Sequence, residues 1–267
     1  MSEPQQKFTA VVLAADRGAH DPVARAAGVR CKSMAPINGL PMVFRVLDAL
    51  AASSAIEERI LCGPPRAILD LEPDLGERIR SDEIRWVKNQ PTPSSSAYHI
   101  FQSLPEKTPI ILTTADHALL NPQIVDYFSE KARASGCDVV LGLARHEMVT
   151  EAYPQTRRTA TRLQDGSYCG CNLFAFLTPG ARRAAEFWRQ VENQRKSPLR
   201  VIRVLGVPAV LRYLLGRLSL EGALDRISDR LGFKAGAVIM PFPEAAIDVD
   251  SVADWKLVEE IVAKRRR

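Results

Sequence analysis

The 267-residue chain has no apolar run long enough to span a bilayer. Its longest, such as Val204 to Leu211, fall far short of the roughly 18 to 20 residues required. The start, Met1 to Lys7, lacks the basic, apolar and small-residue order of an export signal, so the expected location is the cytoplasm. Cysteine is sparse: five residues, an odd number, dispersed along the chain, which excludes a disulfide framework. Cys169 and Cys171 form a C-x-C pair without a second pair at zinc-like spacing, so no structural metal is expected there. The four histidines show no H-E-x-x-H spacing and G-x-S-x-G is absent, which removes the zinc-protease and serine-hydrolase classes. Aromatics make up 6% of the chain and do not interleave with basic positions, so the stacking platform of a nucleic-acid binder is missing. Glycine and proline are not gathered into repeats, which excludes collagen-like chains.

Present instead are 46% hydrophobic and 25% charged residues, enough for one sizeable core. Phe8 to Ala15 reads as a buried first strand that empties into the turn-like Asp16-Arg17-Gly18. Pro41 to Ala52 has helical spacing, with Val43, Val46, Leu47 and Leu50 on one face. Further strands are expected at 59–62, 84–87, 110–114 and 139–143, with short late strands at 237–240 and 246–249 and a closing helix over 252–264. The stretch from Leu143 through Gly166 to Phe174 reads as irregular, and helix resumes at Gly180. Strands alternating with helices predict an α/β fold: a Rossmann-like, mainly parallel sheet flanked by helices, in a single domain over 1–267 with a helical insertion near 180–235. In such sheets ligands lie beyond the carboxyl ends of the strands, which directs attention to the loops after Ala15 and Thr114.

The connection from Asp16 to Lys32 is long for a strand-to-helix loop. Its Arg17, Gly18, Arg25, Gly28, Arg30 and Lys32 suit the wrapping of phosphates, or equally a solvated basic loop. Asp116 directly follows a strand and reads either as a hard-metal ligand or as a helix N-cap. Asp248 and Asp250 are two apart and share a face if the strand continues. A Mg²⁺ shared with Asp116 would relieve their repulsion, while capping of the helix near Val252 would account for one of them. Gly170 and Asn172 either read a polar substrate or make a turn.

Taken in order, these segments resemble nucleotidyltransferases with a glycosyltransferase-A-like fold, the group of molybdenum-cofactor guanylyltransferases and of sugar-phosphate and inositol-phosphate nucleotidyltransferases. The family's opening L-A-A-G-x-G-x-R and later lysine correspond to Leu13-Ala14-Ala15-Asp16-Arg17-Gly18-Ala19-His20, with Lys32 and Ala35 to Met42 following. Its metal-binding aspartate corresponds to Asp116, and its late D-x-D-[TS]-x-x-D to Asp248 through Asp254. The resemblance implies transfer of a nucleotidyl group to a small phosphorylated acceptor such as a sugar, polyol or alcohol phosphate, with release of pyrophosphate. It assigns nucleotide binding to Leu13, Ala14, Ala15, Gly18, Lys32, Ser94, Ser95 and Asp116, and catalysis to Lys32, Asp116 and Arg17. Mg²⁺ falls to Asp116, Asp250 and Asp248, and the acceptor to Gly170 and Asn172, with the Arg157-Arg158 pair beside them. Asp16 and His20 depart from the pattern, standing where the family has glycine and arginine, which shifts the expected phosphate contacts to Arg17, Arg25, Arg30 and Lys32. The alternatives are a glycosyltransferase using a nucleotide sugar and a degenerate nucleotide-binding protein.

The net charge of +5 is matched by five basic residues in the acid-free segment 196–220 (Lys196, Arg200, Arg203, Arg212 and Arg217), so the rest of the chain is neutral overall. Arginines interleaved with apolar residues suit a helix resting on an anionic membrane, a cover for the acceptor, or a packing and homodimer surface. The membrane option leans weakly toward CTP as the donor, since lipid head groups are activated with cytidine nucleotides.

Overall fold

The computed structural model describes residues 6–14, 20–192 and 206–265, with side chains at 190–192 left aside. Ala15, Arg17 and Gly18, and the 196–205 part of the basic apolar segment, lie outside the described residues.

Strand β1 (Phe8–Leu13) is buried at every position. It pairs in parallel with β4 (Ile56–Cys62) on one side and β6 (Ile110–Thr114) on the other. Such a strand has both faces covered, so its residues alternate between two cores. Phe8, Ala10 and Val12 join the larger apolar cluster, whereas Val11 and Leu13 join a second one. The larger cluster is covered by α2 (Met42–Ala51), α6 (Pro122–Ala134) and the closing helix α11 (Val252–Arg265). The second is covered by α5 (Pro93–Ser103), α8 (Arg182–Glu192) and part of α10 (Leu220–Leu231).

The sheet runs β10-β7-β9-β6-β1-β4-β5, where β5 is Arg85–Val87, β7 Val139–Arg145 and β10 Ala235–Met240. Strand β9 (Gly166–Phe176) lies antiparallel between β6 and β7, and the short β8 (Thr161–Leu163) pairs with its start. The mainly parallel α/β architecture is therefore as expected. Two local expectations are corrected. The stretch 166–174, expected to be irregular, belongs to the longest strand among the described residues. Its glycines, Ser167 and Asn172 hide the strand signal, and packing of Tyr168, Leu173 and Phe176 supplies what propensity does not.

The second correction concerns 246–249, which form no strand. Strand β6 already has neighbours on both edges, so this chain crosses the sheet's carboxyl end instead, pinned by one hydrogen bond from Val249 N to Asp116 O (3.0 Å). The loop expected over 16–32 contains a short helix, α1 (Pro22–Ala27), whose first amides at Val23 and Ala24 are capped by Asp21. A two-residue pair, β2 (Pro36–Ile37) with β3 (Leu40–Pro41), turns at Asn38-Gly39; both have positive φ, as a tight hairpin turn demands. Among the described residues no helix is long and apolar enough to cross a membrane.

Candidate active site

Strand order reverses between β1 and β6, because the chain passes from β1 to β4 and β5 on one side and returns to β6 on the other. Loops diverge at such a point and leave a crevice at the carboxyl ends. A cleft of about 330 Å³ opens there, walled by Leu13, Ala14, Lys32, Asp116 and Asp250, and opposite them by the run Asn89 to Pro93. That volume lies in the range of small-molecule sites. The floor is fixed by backbone bonds from Ala14 N to Cys62 O (2.8 Å) and from Ala115 N to Leu13 O (3.0 Å).

Lys32 comes from a single 3-10 turn, Lys32–Met34, anchored by the buried Ser33 and Met34. Its Nζ donates to Asp116 Oδ2 at 2.6 Å and lies 3.4 Å from Asp250 Oδ1. Burial alone would lower the Lys32 pKa. The charge and hydrogen bond of Asp116, with Asp250 and Asp21 behind it, outweigh that effect, and the net shift is upward. The lysine is therefore a fixed cation at neutral pH. Asp116 also accepts from Thr114 Oγ1 at 2.5 Å, which orients its carboxylate.

Capping accounts for neither Asp116 nor Asp250. Helix α6 is capped by Asn121, whose side chain accepts from Ile124 N. At the start of α11, Ser251 Oγ accepts from Asp254 N while Asp254 accepts from Ser251 N, a closed reciprocal cap. The two aspartates thus retain carboxylate oxygens directed at one point.

Asp248 has a different environment. It is 8% exposed, its Oδ1 pairs with Arg158 Nη2, and its Oδ2 accepts from Asn172 Nδ2. Arg158 Nη1 also donates to Asp248 O at 3.2 Å. The cause lies in β9, where Leu141 faces Phe174 but Leu143 faces Gly170, so four residues span what two cover on β7. This bulge places Asn172 at φ +48°, a left-handed conformation that asparagine tolerates better than most residues, and turns its amide to Asp248. Gly142 sits opposite, where a Cβ would come within 3.1 Å of Leu173 Cβ. Gly170 faces open space and Arg157 is exposed.

Ser94 and Ser95 do not wall the cleft. Ser94 is buried, and Ser95 forms the reciprocal cap of α5 with Thr92, while Ser96 Oγ accepts from Gln90 N at 2.9 Å. The serines instead shape the Asn89 to Pro93 wall, which the sequence reading missed by a few residues; the capping Thr92 between two prolines was its available signal. Asp21, also on the wall, was missed because the 16–32 connection was read as a loop, without the helix that Asp21 caps. Arg25 and Arg30 are exposed and lie outside the wall. Beneath Asp116, His117 is fully enclosed, with Nε2 making no hydrogen bond among the described residues, and burial lowers its pKa to about 4. It is neutral at physiological pH.

The MobA-like NTP transferase domain matches residues 10–229, most of the chain and every described wall residue of this cleft except Asp250. The chain belongs to that family. It is a nucleotidyltransferase. A hypothetical transferase from Thermus thermophilus superposes with a TM-score of 0.77 at 28% identity, over 94% of this chain and 100% of that one. The 4-diphosphocytidyl-2C-methyl-D-erythritol synthase of Anaerococcus prevotii gives 0.58 at 12% identity, covering 97% of this nucleotidyltransferase and 96% of its own chain. A CMP:2-keto-3-deoxy-manno-octonic acid synthetase solved with CTP gives 0.57 at 12% identity, covering 97% and 100%. At 12% identity the last two establish a shared fold. No curated protein matches the sequence.

Proposed function

We propose that this nucleotidyltransferase joins the nucleotidyl group of a nucleoside triphosphate to a small phosphorylated acceptor such as a sugar, polyol or alcohol phosphate. The observation that carries the reading is the convergence of Asp116 and Asp250 on Lys32 at the switch point of the sheet. An acceptor phosphate oxygen attacks the α-phosphorus, the bond from that phosphorus to the bridging oxygen breaks, and its electron pair leaves with pyrophosphate. Such a transfer needs positioning and charge neutralisation more than a protein nucleophile.

A divalent cation fits the donor set. Two carboxylates from separate segments already meet one cationic centre, and hard oxygen ligands select Mg²⁺ over softer metals. Among the described residues no cluster of three protein ligands exists, which suits an ion that takes its remaining ligands from water and phosphates. Asp116 and Asp250 would hold it; its chemistry there is neutralisation of triphosphate charge. Asp248, committed to Arg158 and Asn172, instead organises the acceptor side. Lys32 neutralises charge developing on the α-phosphate. Leu13 and Ala14 lie beneath the nucleotide, and Ala15, Arg17 and Gly18, outside the described residues, are assigned to its phosphates by the resemblance alone. The Asn89 to Pro93 wall, shaped by Ser94 to Ser96, meets base and ribose. Arg157, Arg158, Gly170 and Asn172 face the acceptor. Both named neighbours act with cytidine nucleotides according to their descriptions, which supports CTP as the donor.

Exchange of labelled pyrophosphate into each nucleoside triphosphate, with Mg²⁺ and a panel of acceptor phosphates, tests the reading. CTP is expected to exchange. A glycosyltransferase or an inactive binding protein gives no exchange with any nucleotide, and that result would remove the proposal.

A further inference from the structure

Large apolar side chains are exposed at only a few places among the described residues, and most of those places are in one short stretch. Val207, Leu211, Tyr213, Leu214 and Leu215 are 56%, 54%, 40%, 73% and 68% exposed. Helix α9 (Val207–Leu214) carries Val207, Leu211 and Leu214, with Leu215 just past its end, at spacings of four, seven and eight residues, which is one helical face. The opposite side is held to the protein: Ala209 and the following Leu218 are buried, and Leu218 O accepts from Gln164 N at 2.9 Å. The apolar face is therefore held outward, and nothing in the chain's described residues covers it.

Within the segment itself the charge is of one sign; the acids beside it, Asp165 and Glu221, stand at its far end, where Asp165 accepts from Leu220 N. No acid occurs from Gly206 to Leu220, while Arg212 and Arg217 are exposed there and Arg230 reaches to the backbone of Gly206 where α9 begins. A second copy would meet this face about a two-fold axis, setting Arg212 and Arg217 against the same residues with no acid of the helix or the turn after it to pair them. An anionic lipid surface complements both components at once: acyl chains accept the leucines, head groups accept the guanidinium groups, and Tyr213 has the amphipathic character favoured at the boundary.

We infer that the face formed by Val207, Leu211, Leu214 and Leu215 docks peripherally on an anionic bilayer. The bilayer would lie one hairpin from the reaction, because the Gln164 contact belongs to the β8–β9 turn and β9 leads on to Gly170 and Asn172. The docking stands apart from the choice of nucleotide.

Co-sedimentation of the full chain with phosphatidylcholine vesicles, alone or containing phosphatidylglycerol, tests this. Binding is expected only to the anionic vesicles and should weaken as salt is raised. The double variant Leu211→Ser, Leu214→Ser keeps the charge but removes apolar contact, and it should bind roughly tenfold or more weakly. Unchanged circular dichroism and thermal midpoint would assign that loss to the surface. Arg212→Gln with Arg217→Gln should weaken binding by several fold and lessen its salt dependence. Three results would overturn the inference: no binding to anionic vesicles at low salt, serine variants that bind as wild type, or a wild-type dimer that the serine variants dissociate while neither form binds vesicles.

Discussion

Asp248 and Asp250 are separated by one residue and meet different partners. Asp250 is 68% exposed at its side chain and, among the described residues, meets one cation, Lys32, at 3.4 Å. Asp248 is 12% exposed at its side chain and has both oxygens committed, one to Arg158 and one to Asn172. The first is available for a ligand; the second is structural support for groups that face one. The same chemical group thus has two environments, set by whether the carboxylate itself is solvent-facing or enclosed, since both counter-charges are largely buried.

The contrast is sharpest at Asp116, which belongs with Asp250. Asp116→Ala should lower pyrophosphate exchange by about a thousandfold or more, since it removes a carboxylate fixed beside the proposed reacting phosphate. Lys32 would lose its nearer carboxylate and keep Asp250, so some stability is lost with it, and the comparison is made below the variant's own thermal midpoint; a loss of less than about tenfold would detach Asp116 from the chemistry. Next comes the pair itself. Asp248→Asn leaves the Arg158 guanidinium without its buried counter-ion, at about 2–3 kcal/mol of stability. It should raise the acceptor KM by about tenfold or more and leave the nucleotide KM alone. Asp250→Asn should do the reverse, cutting kcat by about tenfold or more while costing under about 0.5 kcal/mol of stability, because its carboxylate is exposed. Identical profiles for the two variants would erase the distinction.

Acid should reveal His117, enclosed beneath Asp116. Its folded pKa is lowered to about 4, so between that value and its ordinary value of about 6.5 the unfolded chain binds the extra proton. Stability is therefore full above about pH 6.5 and is lost as pH falls toward 4, by up to about 3 kcal/mol. Urea unfolding of wild type and His117→Leu at pH 7 and pH 5 should show a difference in pH dependence from this source, and parallel curves would show that His117 does not titrate this way. The smallest effect is at Gly170, where an added methyl meets open space. Gly170→Ala should leave stability within about 0.5 kcal/mol and raise only the acceptor KM, by a few fold. An unchanged KM would place the acceptor elsewhere.

Much of this was legible in the chain. The buried strand Phe8–Leu13, the helix over 42–51 and the strand ending at Thr114 follow from apolar periodicity alone. Lys32 and Asp116 were legible as candidates because a cation in a long loop and a carboxylate at a strand's end are unusual residues in revealing places. Strand β9 was not legible, since its register includes a bulge that breaks alternation and its support comes from β6 and β7, both distant in sequence. The resemblance assigned the nucleotide to Ser94 and Ser95, whereas the cleft is walled by Asn89 to Pro93, which Ser95 and Ser96 hold in place from behind.

The sequence by itself determined the α/β class, the switch-point loops and the supply of carboxylates, because periodicity and local turn chemistry act over a few residues. Only the tertiary structure decided what each carboxylate does. Asp248 was separated from Asp250 by partners 76 and 90 positions away in sequence, Asn172 and Arg158. Lys32 was joined to Asp116 across 84. Electrostatic pairing depends on distance in space and on enclosure from water, and neither is encoded by neighbours along the chain.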